Sequence, residues 1–196
     1  NCAVGYNALT TNTAGGNGNT AVGNYAGDAI TSGDYNTCLG MYGGSDLTSG
    51  TNCIMLGYQA GLSNSPAHTQ NGTNRIVLGN NDITDCYIKV DWSVTSDERD
   101  KMNFAEVPHG LSFVNDLKPI KFDFKKSRDN ATPHGKTKYG FKAQDVLALE
   151  GDNPIIIDND NDTLSITNSH LIPVLVNAIQ ELSAKNDTLE TANTAL

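Results

Sequence analysis

The sequence predicts a mixed fold class: an all-β solenoid in the first half of the chain, then an α+β domain that ends in a long C-terminal coiled-coil helix. Three observations predict this fold class: a repeat whose units end in glycine, a change of composition near residue 95, and leucines spaced seven residues apart. Residues 1–95 hold 15 of the 19 glycines and all four cysteines, but only two of the 13 basic residues. We therefore expect a repeat segment over 1–86, a linking strand over 87–95 and a second domain over 96–196, with its final helix at 168–196.

The repeat consists of short apolar stretches that each begin near an asparagine and end in glycine. The closing glycines lie 18, 17, 17 and 22 residues apart. They are Gly5, Gly23, Gly40, Gly57 and Gly79. An independent Thr-Ser-Gly marker recurs in phase at positions 31–33 and 48–50. Because one such unit cannot bury its apolar face alone, we expect the units to stack as solenoid coils, with a loop over 63–72 in the widest interval.

Glycine content also bears on the assembly state of this half. Ordering glycine carries the highest backbone entropy cost of any residue, and a half of about 95 residues with few large apolar side chains buries little surface. We therefore expect the repeat segment to be stable as an oligomer.

Neither the cysteines nor the histidines show a metal-binding spacing. The cysteines form no Cys-x-x-Cys pair, so we expect reduced thiols, with Cys2 and Cys53 at the same place in the repeat. The acidic run 158–162 starts like a calcium loop but has Thr163 where such a loop needs glycine and Ser169 where it needs glutamate. We interpret it as a hairpin turn and predict no metal and no cofactor.

The charge balance limits the possible partners. The formal net charge is -9 and the isoelectric point about 4.7, so no basic stripe is available to bind phosphates and we expect no nucleic-acid partner. The sequence has no apolar run near the roughly 20 residues that a membrane span needs, so we expect no membrane insertion. Because the chain begins without methionine, we interpret it as part of a longer protein.

The junction between the halves has two interpretations. Residues 87–95 alternate apolar and polar positions, which predicts the linking strand. Ser96 then suits a helix N-cap, with Asp97, Glu98 and Asp100 in a first turn that favours negative charge. This is the structural interpretation of the segment.

The chemical interpretation makes Ser96 a nucleophile and Lys101 its general base. Lysine must be neutral to accept a proton, and burial is the physical means of lowering its pKa. Five residues along an ideal helix correspond to about 500°, which leaves the two side chains about 140° apart. We therefore expect Ser96 to precede the helix and Lys101 to curl back toward it.

The remaining sequence predicts the elements of the second domain in order. Positions 111–117 have helical spacing, 120–124 and 138–142 alternate as strands, and 155–157 and 163–167 flank a polar turn. Leucines recur every seven residues toward the end, with a second set of residues assigned as their partners. The leucines are Leu175, Leu182, Leu189 and Leu196, and the partners are Leu171, Ala178, Lys185 and Ala192.

Five separated motifs of the second half follow in the order of a known family. They are Ser96-Asp97 with Lys101, and positions 110–122, 139–146, 164–166 and 170–182. Together they resemble the C-terminal intramolecular chaperone domain of phage endosialidases and other tail-fibre proteins, a self-cleaving serine peptidase. The repeats of residues 1–80 resemble the left-handed β-roll heads of trimeric autotransporter adhesins and the coils of viral fibres.

The resemblance implies a function for the junction. In that family the domain trimerises, directs the folding of the β-structured fibre before it, and then cuts itself off. Carried over to this sequence, the scissile bond is Thr95-Ser96, Ser96 is the nucleophile and Lys101 is the base. The reaction would be a single-turnover self-cleavage by a serine endopeptidase.

The resemblance also implies the partners and the location. The chain would form a homotrimer within a viral tail fibre, tail spike or appendage of the virion, assembled in the host cytoplasm and joined to the fibre upstream. The first half would be a spacer or would bind a host-surface receptor through side chains that project from the coils. The candidates are Tyr25, Tyr35, Tyr42, Tyr58 and the loop of His68, although aromatic residues in such arrays also pack between coils. The alternative function is a structural or receptor-binding trimeric fibre tip that never cleaves.

Overall fold

The computed structural model describes residues 1–12, 15–63, 65–160 and 163–195, and within these it leaves out the side chains of residues 159 and 160. The chain divides into two compact units. The first comprises Asn1–Tyr87 with Asp123–Lys136, and the second comprises Ile88–Phe122 with Thr137–Leu196. Leu196 of the leucine series, and Asn161 and Asp162 of the acidic turn, lie outside the described residues.

The first unit is built on five short parallel strands stacked in chain order. They are β1 (Cys2–Val4), β2 (Thr20–Val22), β3 (Thr37–Leu39), β4 (Ile54–Leu56) and β5 (Ile76–Leu78). Each strand pairs residue for residue with the next, so one turn of the chain separates successive strands. The all-β solenoid predicted from the repeat is therefore confirmed.

Both sequence markers of the repeat have a packing reason. The middle residue of a strand points into the coil, as Cys38 and Met55 do, and both are fully buried. The residue before each Thr-Ser-Gly marker, Ile30 or Leu47, is also fully buried in the same core. One coil thus contributes two inward positions, and the 17-residue period keeps both in line from coil to coil.

A ladder of asparagine side chains runs along the inside of the solenoid. The Oδ1 atom of Asn36 accepts a hydrogen bond from the backbone N–H of Cys53 in the next coil at 2.9 Å, and its Nδ2 donates to the carbonyl of Gly50 at 2.8 Å. Asn19 makes the same two bonds one coil earlier, to Asn36 and to Gly33. These buried amides satisfy backbone groups at the corner of each coil that the short strands leave unpaired.

The strand register corrects the equivalence assigned to Cys2 and Cys53. Cys2 pairs with Thr20 at the first position of a strand, whereas Cys53 lies before β4 and takes the place of the ladder asparagine Asn36. The prediction was wrong because the fourth unit has one more residue between its asparagine and its closing glycine. All four cysteines are free, and burial raises the pKa of Cys38 to about 12.

Two of the tyrosines considered for receptor contact pack between coils instead of projecting from them. The rings of Tyr25 and Tyr42 stack with centroids 5.2 Å apart, and Tyr6 meets Tyr25 edge-on at 5.4 Å. Tyr35 and Tyr58 are exposed. In the loop of the widest interval, His68 Nε2 lies 3.2 Å from the carboxylate of Asp46, and Thr69 is buried.

The second unit has the α+β composition that the sequence predicts. Its elements are α1 (Leu111–Asp116), β6 (Ile120–Lys125), β7 (Pro133–Gly140), α2 (Ala143–Glu150), β8 (Ile157–Asp160), β9 (Thr163–Ile166) and α3 (Leu171–Thr194). Strands β6 and β7 pair with each other, although parts of both belong to the first unit, and β8 and β9 form an antiparallel hairpin. The core joins Phe113 of α1, Val146 of α2, Ile157 of β8, and Leu171 and Val174 of α3.

The segment before the second domain differs from its expectation. The structure assigns no strand to residues 87–95, all of which it describes, and Tyr87, Trp92 and Val94 are 75–86% exposed. A β-strand requires a neighbour that accepts and donates backbone hydrogen bonds, and the single chain supplies none along this segment. The alternation of apolar residues is therefore present, but the linking strand is not formed.

Helix α3 confirms the predicted C-terminal helix and corrects one of its faces. A 3₁₀ turn over Asn168–His170 leads into the α-helix, whose residues Leu171, Val174 and Ala178 are buried. Leu171 and Ala178 were assigned to the coiled-coil face, which was wrong because both pack against the chain's own core. Among the described residues, no helix is long and apolar enough to cross a membrane.

Candidate active site

The structure brings Ser96 and Lys101 into direct contact. The ammonium nitrogen Nζ of Lys101 donates a hydrogen bond to the hydroxyl oxygen Oγ of Ser96 at 2.6 Å. This distance is in the range within which a base can take a hydroxyl proton. Thr95, whose carbonyl carbon forms the peptide bond to Ser96, is the preceding residue.

The local backbone explains how residues five positions apart can meet. Residues Glu98–Asp100 form a single 3₁₀ turn, and Lys101 after it is extended, with φ -124° and ψ 155°. A helix of one turn reverses the chain without placing the two side chains on opposite faces of a cylinder. Ser96 precedes the turn and the Lys101 side chain reaches back across it.

The N-cap of this turn is Asp97, so the assignment of Ser96 as the cap was wrong. The Oδ1 atom of Asp97 accepts from the backbone N–H of Arg99 at 2.9 Å, the usual bond of an N-cap side chain. The hydroxyl of Ser96 is therefore not used in capping, and it is the group that Lys101 contacts.

Arg99 binds the carboxylate of Asp97, the residue after Ser96. Its Nε and Nη2 atoms donate to the two oxygens of Asp97 at 3.0 and 2.6 Å. The hydrogen bonds from the Arg99 side chain, together with that from its backbone, hold the pKa of Asp97 below its ordinary value, and the same contact raises the pKa of Arg99. Asp97 is thus held as an anion by Arg99, while Lys101 bonds to the serine.

The Ser96–Lys101 pair is exposed in the single chain. The large apolar residues that flank it in sequence, Val94, Met102 and Phe104, are also 68–84% exposed. Removing water from a lysine favours its neutral form, which is the form that accepts a proton.

Two residues of α3 hold the chain downstream of the pair. The amide Nδ2 of Asn177 donates to the carbonyl of His109 at 2.9 Å and to that of Val107 at 3.3 Å. One turn further on, the carboxylate of Glu181 accepts from the backbone N–H of Leu111 at 3.0 Å and so caps α1. We refer to Asn177 and Glu181 as the α3 clamp.

Sequence reasoning did not identify the α3 clamp as functional. Glu181 and Asn177 are four residues apart and therefore lie on one face of a helix, which was a readable signal. Their partners are backbone groups, which carry no sequence signature. A Cβ atom at Gly110 would overlap the Glu181 carboxylate, so a side chain there would displace the end of the Glu181 side chain from this contact.

The histidines have structural contacts. His109 stacks on Phe113 with ring centroids 4.2 Å apart, and the Nδ1 atom of His170 lies 2.8 Å from the carbonyl oxygen of Ile155. The search for three or more His, Cys, Asp or Glu side chains that together could hold a metal ion finds no such group in the described part of the chain.

The comparison with known families agrees with this geometry. Residues 96–152 match the model of the family described as chaperone of endosialidase. This segment is therefore similar to the chaperone domain of endosialidases. The match begins at Ser96 itself and includes Lys101. The comparisons with curated proteins and with solved structures give no significant match.

The chaperone domain gives the chain a general function. The family is one of self-cleaving serine peptidases that serve as chaperones of phage tail fibres. The match confirms the resemblance over the three motifs within residues 96–152, whereas the motifs at 164–166 and 170–182 lie outside it. The β-solenoid of residues 1–79 precedes the matched segment in the chain.

Proposed function

We propose that this chain is the C-terminal part of a viral tail fibre or tail spike, in which the chaperone domain cleaves the bond between Thr95 and Ser96. The observation that carries the proposal is the 2.6 Å contact between Lys101 Nζ and Ser96 Oγ. The domain drives homotrimerisation and folding of the β-solenoid before it, and releases itself once assembly is complete. The virion keeps the solenoid.

The chemistry follows from the position of the serine at the scissile bond. Neutral Lys101 takes the proton of the Ser96 hydroxyl, and Oγ attacks the carbonyl carbon of Thr95. The C–N bond breaks, the amino group of Ser96 receives the proton, and Thr95 is held by an ester to Oγ. Water hydrolyses the ester, which yields the Thr95 carboxylate and a new chain that begins with Ser96.

The tether between nucleophile and substrate makes the reaction intramolecular. Holding the two groups in place supplies a large part of what a bimolecular catalyst must gain by binding, up to about 7–11 kcal/mol in well-oriented systems. The same tether limits the site to one turnover, because the product carries Ser96 as its first residue. Removing water from a lysine favours its neutral form, so burial of the site by neighbouring copies in the trimer would assist the proton transfer.

Denaturing electrophoresis of freshly expressed protein tests the proposal. The wild-type chain should give two fragments of 95 and 101 residues, and Ser96→Ala and Lys101→Ala should each give one band at the full 20.9 kDa. Lys89→Ala is the matched control, because it removes an exposed lysine on the other side of the bond, and it should cleave like the wild type. Mass spectrometry should find Ser96 as the new N-terminus.

The alternative function has a clear signature in the same experiment. A structural or receptor-binding trimeric tip would give one full-length band for the wild type and for all three variants. Light scattering then separates assembly from cleavage. A trimer of three times the 20.9 kDa chain that never cleaves would favour the tip, whereas a monomer would contradict both functions.

A further inference from the structure

The two cations that follow Ser96 have separate partners. The guanidinium of Arg99 binds the carboxylate of Asp97, with its Nε and Nη2 atoms 3.0 and 2.6 Å from the two oxygens. The ammonium of Lys101 donates instead to the hydroxyl of Ser96 at 2.6 Å. Both contacts belong to the 3₁₀ turn over Glu98–Asp100 and the residues that adjoin it. Charge alone does not require this division, because either cation could neutralise the carboxylate.

Arginine is better suited than lysine to bind this carboxylate. Its planar guanidinium presents two parallel N–H groups that match the two oxygens, whereas an ammonium group acts as a point charge. The backbone N–H of Arg99 adds a third hydrogen bond, to Oδ1 of Asp97 at 2.9 Å. In the described part of the chain, no carboxylate forms an ion pair with Lys101. The turn thus leaves Lys101 to the serine hydroxyl.

We propose that Arg99 is a positioning residue for the self-cleavage and that it acts through Lys101. By binding Asp97, Arg99 keeps that carboxylate from pairing with Lys101. An anion close to an ammonium group stabilises the charged form of that group, and only the neutral form can accept the proton of Ser96. The inference rests on the proposed function for the reaction, and it adds the residue that keeps the base available.

The charges next to Lys101 give the sign of each effect. Asp97 and Arg99 together carry no net charge. Arg99→Ala leaves an unpaired anion, which should raise the pH at which Lys101 loses its proton, whereas Asp97→Asn leaves an unpaired cation, which should lower that pH. The double variant restores a sum of zero. The other acids of the turn, Glu98 and Asp100, are present in every variant and do not contribute to the differences.

NMR titration of the full chain tests the proposal directly. The parent carries Ser96→Ala to keep the chain uncleaved, and isotope labelling of lysine Cε reports the loss of the ammonium proton as a change of chemical shift. Lys101→Arg identifies the resonance of Lys101 by its absence. The titration compares the parent with Arg99→Ala, Asp97→Asn and the double variant. Arg128→Ala is the control, because it removes an exposed arginine outside the turn.

The titration midpoint of Lys101 should move in opposite directions in the two single variants. We expect a rise of about one pH unit in Arg99→Ala, a fall in Asp97→Asn, and the parent value in the double variant. Asparagine can also accept the capping hydrogen bond, so the turn is retained in Asp97→Asn. High salt should reduce both shifts, because charges at an exposed site are screened. Equal midpoints in all four proteins, or a shift in Arg128→Ala as large as in Arg99→Ala, would overturn the proposal.

Cleavage kinetics test the same charge balance with Ser96 intact. Pulse-labelled protein is followed in the expressing cells, and the half-time of the full-length band is measured. A rise of about one pH unit in the midpoint lowers the neutral fraction of a lysine about tenfold, so Arg99→Ala should cleave about tenfold more slowly. Arg99→Lys keeps the charge and should recover part of this loss, and the double variant with Asp97→Asn should return to the wild-type half-time. A double variant as slow as Arg99→Ala would mean that Arg99 acts on the turn and not on the base.

The two measurements separate this inference from the proposed function. If the wild-type chain gives one full-length band while the midpoints in the Ser96→Ala background move as expected, self-cleavage is wrong and the effect of Arg99 on Lys101 stands. If the wild type cleaves but neither its rate nor the midpoint responds to Arg99→Ala, self-cleavage stands and the role of Arg99 is wrong.

Discussion

Replacing Asn36 by alanine should destabilise the solenoid more than any exposed asparagine does. The Asn36 side chain is fully buried and makes two hydrogen bonds with backbone groups that are themselves buried, the N–H of Cys53 and the carbonyl of Gly50. Alanine leaves both groups without a partner at a cost of about 1–3 kcal/mol each. We therefore expect a loss of about 2–6 kcal/mol in the free energy of unfolding.

Urea unfolding of the Ser96→Ala background measures this loss without interference from cleavage. Asn17→Ala is the control, because Asn17 is exposed and its Nδ2 donates to the carbonyl of Gly15 within the same loop. Its cost should stay within about 1 kcal/mol, since water can replace the lost bond. Equal losses for Asn36→Ala and Asn17→Ala would refute the argument that the ladder stabilises the coils.

Three further predictions concern other parts of the molecule. Gly23→Ala should disrupt the solenoid, because the new Cβ would lie 2.6 Å from the carbonyl oxygen of Gly40. Gly151→Ala places its Cβ within 4 Å of no atom beyond its chain neighbours, so it should lower the free energy of unfolding by about 1–3 kcal/mol through backbone strain alone. Thermal unfolding of the two variants compares these effects. Glu181→Ala should remove the α1 cap and destabilise the second unit by about 1–2 kcal/mol, whereas the control Glu190→Ala should not. Hydrogen exchange should show that the Leu111 amide loses protection in Glu181→Ala, which identifies the cause. Burial raises the pKa of Asp28, so ionisation of its carboxyl group opposes folding as the pH rises through that raised pKa. Asp28→Asn should therefore raise the melting temperature at about pH 7 and have no such effect at about pH 3. An equal gain at both pH values would contradict this sign.

The solenoid was predictable because two independent markers share one period. The closing glycines and the Thr-Ser-Gly tripeptides each correspond to a fixed place in the coil, and the structure gives both a packing reason in Ile30, Leu47 and the buried mid-strand residues. The exact equivalence of positions was not predictable from glycine spacing. One added residue before Gly57 moves Cys53 out of the strand and into the asparagine ladder.

The candidate site was predictable in its residues but not in its local geometry. Within one regular helix the side chains of Ser96 and Lys101 would point about 140° apart, so their contact requires the serine to lie outside the helix. The helix is a single 3₁₀ turn, and Asp97 caps it by accepting from the backbone N–H of Arg99. The sequence does not favour Asp97 over Ser96 for this role, because either side chain carries an oxygen that can accept the hydrogen bond. The face of α3 that turns inward likewise depends on where α1 and α2 lie, so the partners assigned to the leucines included two core residues.

The asparagine ladder has a direction. Nδ2 of each asparagine closes its own coil by bonding to a carbonyl 14 or 15 residues later, and Oδ1 then presents an acceptor to the first backbone N–H of the coil that follows. Each ladder asparagine thus supplies a hydrogen-bond acceptor to the coil that follows it in the chain. The series of side-chain acceptors ends at Cys53, whose side chain has no oxygen atom. The widest interval of the repeat, 22 residues from Gly57 to Gly79, follows it. The asparagine ladder is therefore confined to the coils before the widest interval, and it tolerates the one-residue difference between the first two intervals of 18 and 17 residues.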